Sequence, residues 1–444
     1  MKIELAGHYG FRRLALSSLP TIAMMIITSI YSVVDGYFVS NFAGSTEFAA
    51  LNIVWPALAL ISAVGLMIGT GGSALVSKTI GEGDVQKANR IFTFLIRISL
   101  MAGIVVTGLL FAFMKPVVLA LGAEGDMVPL AVTYGRIVVL SMPFFIMQMA
   151  FQSFYMTAER PELGTRMSLI CGALNIALDA LFIIGFGWGL VGAALGTTIA
   201  LAAGGLYPLI FFASKRNTTH LRFVRTDGRD WKSLLKSCTN GMSEYVGNVA
   251  LNVVSIGYNL QLMKYIGENG VSAYGIIMYV GFIFCAVYIG YNLCVSQVIA
   301  YNYGAGNKQE LRSLFSKSLW LIAIGGMVLT ALAELGSPLL ARIFVGYDEE
   351  LCSLTVRALR IYMLSFLLCG FNMFCSAWFT ALNNGAVSAI AAFVRTLVFE
   401  LGTVMILPSI IGIDGIWMSV CVAEVLAAIM AAALFIAFRR KYLY

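Results

Sequence analysis

Charge is what this chain has least of. Only 11% of its 444 residues are Asp, Glu, Lys or Arg, against about 25% in an ordinary soluble domain. Histidine is almost missing: His8 and His220 are the only two, and neither lies in an apolar run. There is no HExxH, no GxSxG and no Ser/His pair at apolar depth, which excludes a metalloprotease or an intramembrane serine hydrolase. The eight cysteines include no CxxC pair and sit mostly inside apolar runs, where they read as small hydrophobes rather than metal ligands. No small-residue cleavage site follows the opening "MKIELAGHYGFRRLALSSLP", so no cleaved signal peptide is expected. Neither a catalytic constellation nor a long soluble insertion is present. The expectation is a protein that is not an enzyme and holds no cofactor.

Apolar residues are what the chain has in excess. They make up 60% of it, with a mean hydropathy of +0.88, and no soluble packing scheme hides that much apolar surface. Long apolar stretches broken by glycines fit helices, and the weaker alternation of an outer-membrane barrel is absent. The sequence therefore predicts an all-α polytopic membrane protein. Twelve spans fit: 14–38, 50–77, 91–114, 130–156, 167–185, 189–213, 238–263, 272–300, 318–337, 358–380, 386–408 and 413–437. Of the 29 Lys and Arg, nearly all outside the spans fall on the termini and the even-numbered connections. Lys115, Lys264 and Arg342 occupy the odd-numbered ones, with Arg357 at the border of the tenth span. That asymmetry predicts cytoplasmic termini. It also reads the basic run "KRNTTHLRFVRTDGRDWKSLLK" as a cytoplasmic linker, not a nucleic-acid site.

The linker divides the chain into an N-lobe (1–214), a linker (215–237) and a C-lobe (238–444), six spans to each lobe. A shift of 223 residues lays Gly81 on Gly304, Gly83 on Gly306 and Ala50 on Ala273. "YGRIVVLS" (134–141) returns as "ALRIYMLS" (358–365), one residue out of that register. An even number of spans per repeat inserts both halves the same way round. This predicts two pseudo-symmetric six-helix lobes about an axis along the membrane normal, with a substrate site between them.

Carboxylates within the spans stand out against this background, because one near a helix centre costs about 2.5 to 3.5 kcal/mol and is functional by default. Asp35 lies in "YSVVDGYFVS"; the repeat puts Tyr258 at its counterpart, so the carboxylate is not part of the duplicated design. Asp179 is the single charge between 167 and 214, with Asn175 four residues earlier on the same helix face. "GFGWG" marks the turn to the next span, where Thr197 and Thr198 offer hydroxyls. Two carboxylates, an amide and a hydroxyl suit a hard cation or a proton alike. The bland alternative is that each Asp pairs with Arg97, Arg136 or Arg395. Glu244 opens the seventh span, either as a functional group or as a Glu facing interfacial water. Glu400 and Glu424 are further buried acids, and Arg395 offers Glu400 a partner. "GTGGSA" (69–74) formally fits a dinucleotide fingerprint, but within a span, as with the GxxxG of Gly65 and Gly69, it reads as close helix packing.

"VDGYFVSNFAGSTEFAALNIVWP", "NIALDALFI" and "GWGLVGAALGTTIA", together with Pro20, the linker and the repeated "IGEGD" and "YNYGAGN" connections, resemble the multidrug and toxic compound extrusion (MATE) transporters of the MOP flippase superfamily. The resemblance spans essentially the whole chain. It implies two six-helix lobes around a V-shaped central cavity, and export of amphipathic, often cationic compounds driven by inward H⁺ or Na⁺. It assigns Asp35, Asn175, Asp179 and Thr197 to the N-lobe proton or cation site, with Na⁺ as the only metal in question. Pro20 becomes the point where the first helix bends, and Glu244 a substrate or coupling candidate. The family's sodium-coupled branch often has an acid in the tenth span; here "CGFNMFCSAWFTALNN" has none. A lipid-linked oligosaccharide flippase is the alternative, though it would want more Arg and Lys at depth. The implied partners are small amphipathic substrates and membrane lipids, not nucleic acid. The implied setting is a monomer in the cytoplasmic (plasma or inner) membrane.

Overall fold

The computed structural model describes residues 4–442 apart from 43, 44, 126, 216, 227–229 and 347, and apart from the side chains of 32, 33, 35–37, 40, 41, 45 and 48. Among the described residues the chain is helical with no strand. The first half comprises α1 (Phe11–Phe42), α2 (Ser45–Gly81), α3 (Val85–Ala120), α4 (Met127–Val139), α5 (Met142–Thr157), α6 (Pro161–Asp179) and α7 (Gly189–Ala213). The second comprises α8 (Trp231–Tyr265), α9 (Glu268–Gly304), α10 (Lys308–Val345), α11 (Glu349–Met363), α12 (Phe366–Ala381), α13 (Gly385–Phe393), α14 (Leu401–Ile411) and α15 (Ile413–Tyr442). A π-helical stretch, Ala180–Gly185, extends α6, and another, Val394–Glu400, joins α13 to α14.

These elements make twelve spans. Nine are single apolar segments, and α4 with α5 and α11 with α12 are pairs bent by 57° and 46°. The twelfth, α8, is less apolar because Asn240, Ser243, Glu244, Asn248, Asn252 and Ser255 run along it. The helices outrun the apolar windows of the sequence. The 37 residues of α2 make about 55 Å of helix, whereas the hydrocarbon layer is about 30 Å thick, so α2 projects well beyond the window 50–77.

The duplication is visible in particular residues. The repeated octapeptide ends on the bend in both halves, at 140–141 and 364–365. Glu159 and Asn383, 224 residues apart, are the only non-glycine residues with positive φ among those described, each at 57°. Gly83 (φ 89°) and Gly306 (φ 67°) both turn the chain into an N-cap. There Asp84 accepts from the Lys87 N–H and Asn307 from the Glu310 N–H. So "IGEGD" and "YNYGAGN" build the same turn.

Two apolar cores result. One gathers residues from Val39 to Leu221; the other is drawn mainly from Val254 onward, with Leu5, Tyr9, Leu14 and Ala74 joining it. The linker packs on the first: Phe223 stacks on Phe92 at 5.1 Å and His220 Nε2 bonds the Thr157 carbonyl at 2.8 Å. Gly65 and Gly69 meet the α5 backbone at Ile146 and Ala150, so "GTGGSA" and its neighbour serve close helix packing.

The lobes meet at the face carrying the termini and the linker. A Cβ on Gly81 would collide with the Tyr301 carbonyl, and one on Gly304 with that of Lys78. These are the same contact seen twice, because 78 and 81 lie 223 residues before 301 and 304. Gln297 of α9 closes the seam, accepting from Ser77 Oγ at 2.9 Å and Thr157 Oγ1 at 3.2 Å and donating to Ser73 Oγ at 2.9 Å. All four residues are buried. Asn240 Nδ2 donates to the Gly71 carbonyl at 3.4 Å and Asn383 Nδ2 to the Ala74 carbonyl at 3.5 Å at the same seam, and the two-lobe fold opens as a V away from it.

Residues 4–10 form a strap across this closed face. Leu5 N–H donates to Glu159 Oε1 of the first lobe at 2.7 Å, while Tyr9 N–H donates to Glu310 Oε1 of the second at 2.9 Å. His8 Nδ1 pairs with Glu310 Oε2 at 2.6 Å, and Lys317 Nζ donates to the Tyr9 carbonyl at 2.5 Å. Tyr9 is fully buried, and that burial pushes its hydroxyl far above the ordinary phenol range.

Candidate functional site

The first-lobe site is built where α1 and α6 run side by side. Thr165 Oγ1 donates to the Pro20 carbonyl at 2.6 Å, and Gly164 admits the Met24 sulfur. Thr28 Oγ1 lies 3.4 Å from Ser168 Oγ, and Gly172 faces Tyr31. The contacts climb both helices in steps of three or four residues, the spacing of one helix face. One step further lie position 35 on α1 and Asn175 and Asp179 on α6. The Asp35 side chain lies outside the described ones; its backbone is helical within α1.

Asn175 and Asp179 are buried, at 3% and 0% exposure. Asp179 is the last α-helical residue before the π stretch, a local rewinding that recurs at functional sites. On the far side α7 approaches at a glycine: a Cβ on Gly196 would come within 2.5 Å of Asp179 Oδ1. The next residue, Thr197, is buried as well. The turn that brings α7 back is the expected one, with Gly187 at φ 68° and Gly189 at φ 51°, angles a side chain would disfavour.

Two oxygens of this cluster, Asn175 Oδ1 and Thr197 Oγ1, have no hydrogen-bond partner among the described residues. Buried polar atoms are normally satisfied, so an unsatisfied amide oxygen and hydroxyl beside a carboxylate form a set of oxygen donors open to a proton-bearing group or hard cation. Thr198, the other hydroxyl considered, instead donates to the Ile137 carbonyl of α4 at 3.2 Å. The arginines offered as partners are engaged elsewhere. Arg395 pairs with Glu424, Arg136 lies over the Phe111 ring, and Arg97 is exposed.

Pro20 sits in an α1 that is helical throughout. Its ring removes one backbone donor, and its own carbonyl is held by Thr165. Glu244 is half-buried on α8. It lies one turn past Gly241, which meets the Met67 backbone where the lobes close, and so falls on the cleft side of that contact. Gly247 beside it borders open space, and no ion pair to Glu244 occurs among the described residues.

Arg395 corrects one expectation from the sequence. It binds Glu424 of α15, donating Nε at 3.0 Å and Nη2 at 2.5 Å to Oε1, and not Glu400. A partner 29 residues away on another helix leaves no local spacing by which to find it.

The MatE family model matches the chain twice, over residues 20–181 and 245–406. The multidrug export protein MepA of Staphylococcus haemolyticus is 26% identical over 432 residues, 97% of this chain and 94% of that protein. MepA of Staphylococcus aureus (strain MSSA476) is 24% identical over 424 residues, 95% and 92% of the two. A solved outward-facing multidrug resistance MATE family transporter of the MOP superfamily superposes with a TM-score of 0.91 at 22% identity, covering 99% of this chain and 97% of that one. With one family match on each lobe of a twelve-span, pseudo-symmetric fold, the chain belongs to the MatE family and is a multi-pass membrane transporter, not an enzyme.

Proposed function

We propose that this transporter is an antiporter that exports amphipathic, often cationic compounds, driven by inward H⁺ or Na⁺ bound at Asp35, Asn175, Asp179 and Thr197. The observation that carries the reading is the buried first-lobe cluster, with a carboxylate and two unsatisfied oxygens where α1, α6 and α7 meet. Its relatives' name, multidrug export protein, supports the substrate class. The charge asymmetry of the connections supports a cytoplasmic membrane setting with both termini inside. In that orientation the closed face is cytoplasmic and the V opens outward. Proton or cation uptake from outside neutralises the first-lobe carboxylates and removes the cost of burying their charge. A substrate cation held by the same negative field is released, with Glu244 as its second contact, and rocking of the lobes resets the cycle. Pro20 gives α1 a weak point at which to bend. The protein works as a monomer. Lipid-linked oligosaccharide transport is less supported, because Arg395 is already committed to Glu424.

The deciding experiment is cationic-dye transport in proteoliposomes under a pH gradient or a Na⁺ gradient, with membrane potential clamped. One gradient should drive efflux in the wild type, and Asp35→Asn and Asp179→Asn should each abolish it. Undiminished efflux by both variants would sink the proposal.

A further inference from the structure

Residues 4–10 tie the two lobes together, and one of the ties can change its charge. His8 and Glu310 are unequal partners: the His8 side chain is 74% exposed to the solution on this face, that of Glu310 only 7%. Both Glu310 oxygens are occupied, Oε1 by the Tyr9 N–H and Oε2 by His8 Nδ1. An ionised carboxylate only accepts, so Nδ1 carries the hydrogen whether the ring is charged or not. Protonation at Nε2 then turns a neutral hydrogen bond into a charge-assisted one with no atom displaced. Every neighbouring element brings its own groups. Arg13 of α1 pairs with Glu4 at 3.6 Å, donates to the His8 carbonyl at 3.1 Å and lies over the Tyr9 ring. Glu159, in the turn between α5 and α6, accepts from the Leu5 N–H, and Lys317 of α10 donates to the Tyr9 carbonyl. The Cys294 thiol of α9 donates to the Ser17 carbonyl at 3.4 Å. Of these side-chain types histidine alone ordinarily changes charge between about pH 5 and 8. The strap also has leverage. It runs straight into α1, the helix of Pro20 and Asp35, while Leu5, Tyr9 and Leu14 are buried in the second lobe's core. Parting the lobes at this face must break either the Leu5 bond to Glu159 or the Tyr9 and His8 bonds to Glu310.

From this arrangement we infer that residues 4–10 are a pH-sensitive latch, with His8 as its sensor. Charged His8 holds the transporter closed at the face bearing the termini; neutral His8 lets that face open more readily. The proton comes from the solution on that face and returns to it, and no covalent bond to a heavy atom changes. Because the ion pair exists only in the latched state, its contribution is full in acid and fades as pH rises through the histidine range. The inference rests on the proposed antiport for its purpose. In that orientation the sensed solution is the cytoplasm, and acid there delays the opening through which more coupling ions would enter. The latch acts as a brake on ion entry. Its mechanics do not depend on that reading.

The test separates the two. Spin-label distances across the closed face are measured on the full chain in lipid nanodiscs, at about pH 8 and about pH 5. In the wild type the ratio of closed to open populations should rise in acid by about two- to fivefold, the range of an exposed ion pair. His8→Gln keeps a donor for Glu310 but never charges, and should lose this rise and stay at the less latched level. His8→Lys is charged at both pH values and should stay at the more latched one. The exposure of His8 lets both variants fold, and comparing them with the wild type removes the titration of every other group. A pH response equal in all three, or a wild type that closes as pH rises, overturns the latch. In proteoliposomes, acid on the side of the termini should slow dye efflux by the wild type more than by His8→Gln. A wild type in which no gradient drives efflux overturns the antiport reading and leaves the distance result standing.

Discussion

Thr197 and Thr198 are neighbours in sequence and differ in everything else. Adjacent residues on an α-helix point about 100° apart: Thr198 bonds the Ile137 carbonyl of α4, while the buried Thr197 hydroxyl, next in chain to the Gly196 that meets Asp179, has no partner among the described residues. Thr197→Val should therefore weaken ion-driven dye efflux with little effect on stability. Thr198→Val should keep efflux and lose about 0.5 to 1.5 kcal/mol of stability, the worth of one hydrogen bond. Efflux assays and thermal unfolding in detergent, run on both, decide this. Asn175 and Asp179 were legible as a pair because four residues is one turn; between the two threonines the residues alone left the choice open, since tertiary packing selects a face, and only the family resemblance singled out Thr197. Arg395 makes the same point. Removing one partner of a buried ion pair costs about 3 to 5 kcal/mol, so Glu424→Gln should lower the unfolding temperature clearly more than Glu400→Gln does.

Elements obeyed the apolar windows in number but not in detail. All twelve spans were legible because a membrane demands long apolar stretches. Their true ends were not, because backbone hydrogen bonding continues past the lipid and nothing in hydropathy marks where it stops. Nor were the bends. Pro143 accompanies the first, but the second, at 364–365, has no proline nearby and follows from how the lobe packs. The strap is the element that sequence reasoning passed over: His8 showed only as a histidine outside the spans. Its Glu310 anchor serves the Tyr9 N–H and the His8 ring at once. Glu310→Ala should free that segment, leaving a buried N–H unsatisfied at about 1 to 3 kcal/mol. Hydrogen-exchange mass spectrometry should show faster exchange in the peptide containing Tyr9, with core peptides unchanged. Equal exchange in variant and wild type would mean the strap is held by Leu5 and Lys317 alone.

At the scale of the whole molecule, the repeated glycines of the sequence turn out to be where the two lobes cross. Gly81 and Gly304 were visible as a repeat, but their meeting each other's partners was not, because a repeat gives equivalence and not contact. The crossing and the Gln297 hydrogen bonds favour the state closed at the face bearing the termini. Gln297→Leu removes three hydrogen bonds at buried hydroxyls and should shift the population toward opening there. Spin-label distances between the ends of α2 and α9 at that face should lengthen or broaden; an unchanged distribution would assign closure to the glycine crossing alone. The strap belongs to the same equilibrium, since residues 4–10 hold one lobe at Glu159 and the other at Glu310. An affinity tag or fluorescent fusion placed ahead of Glu4 is thus not a neutral handle. It hangs a load on a joint between the moving halves, and rates measured with it would report the tag as well as the transporter.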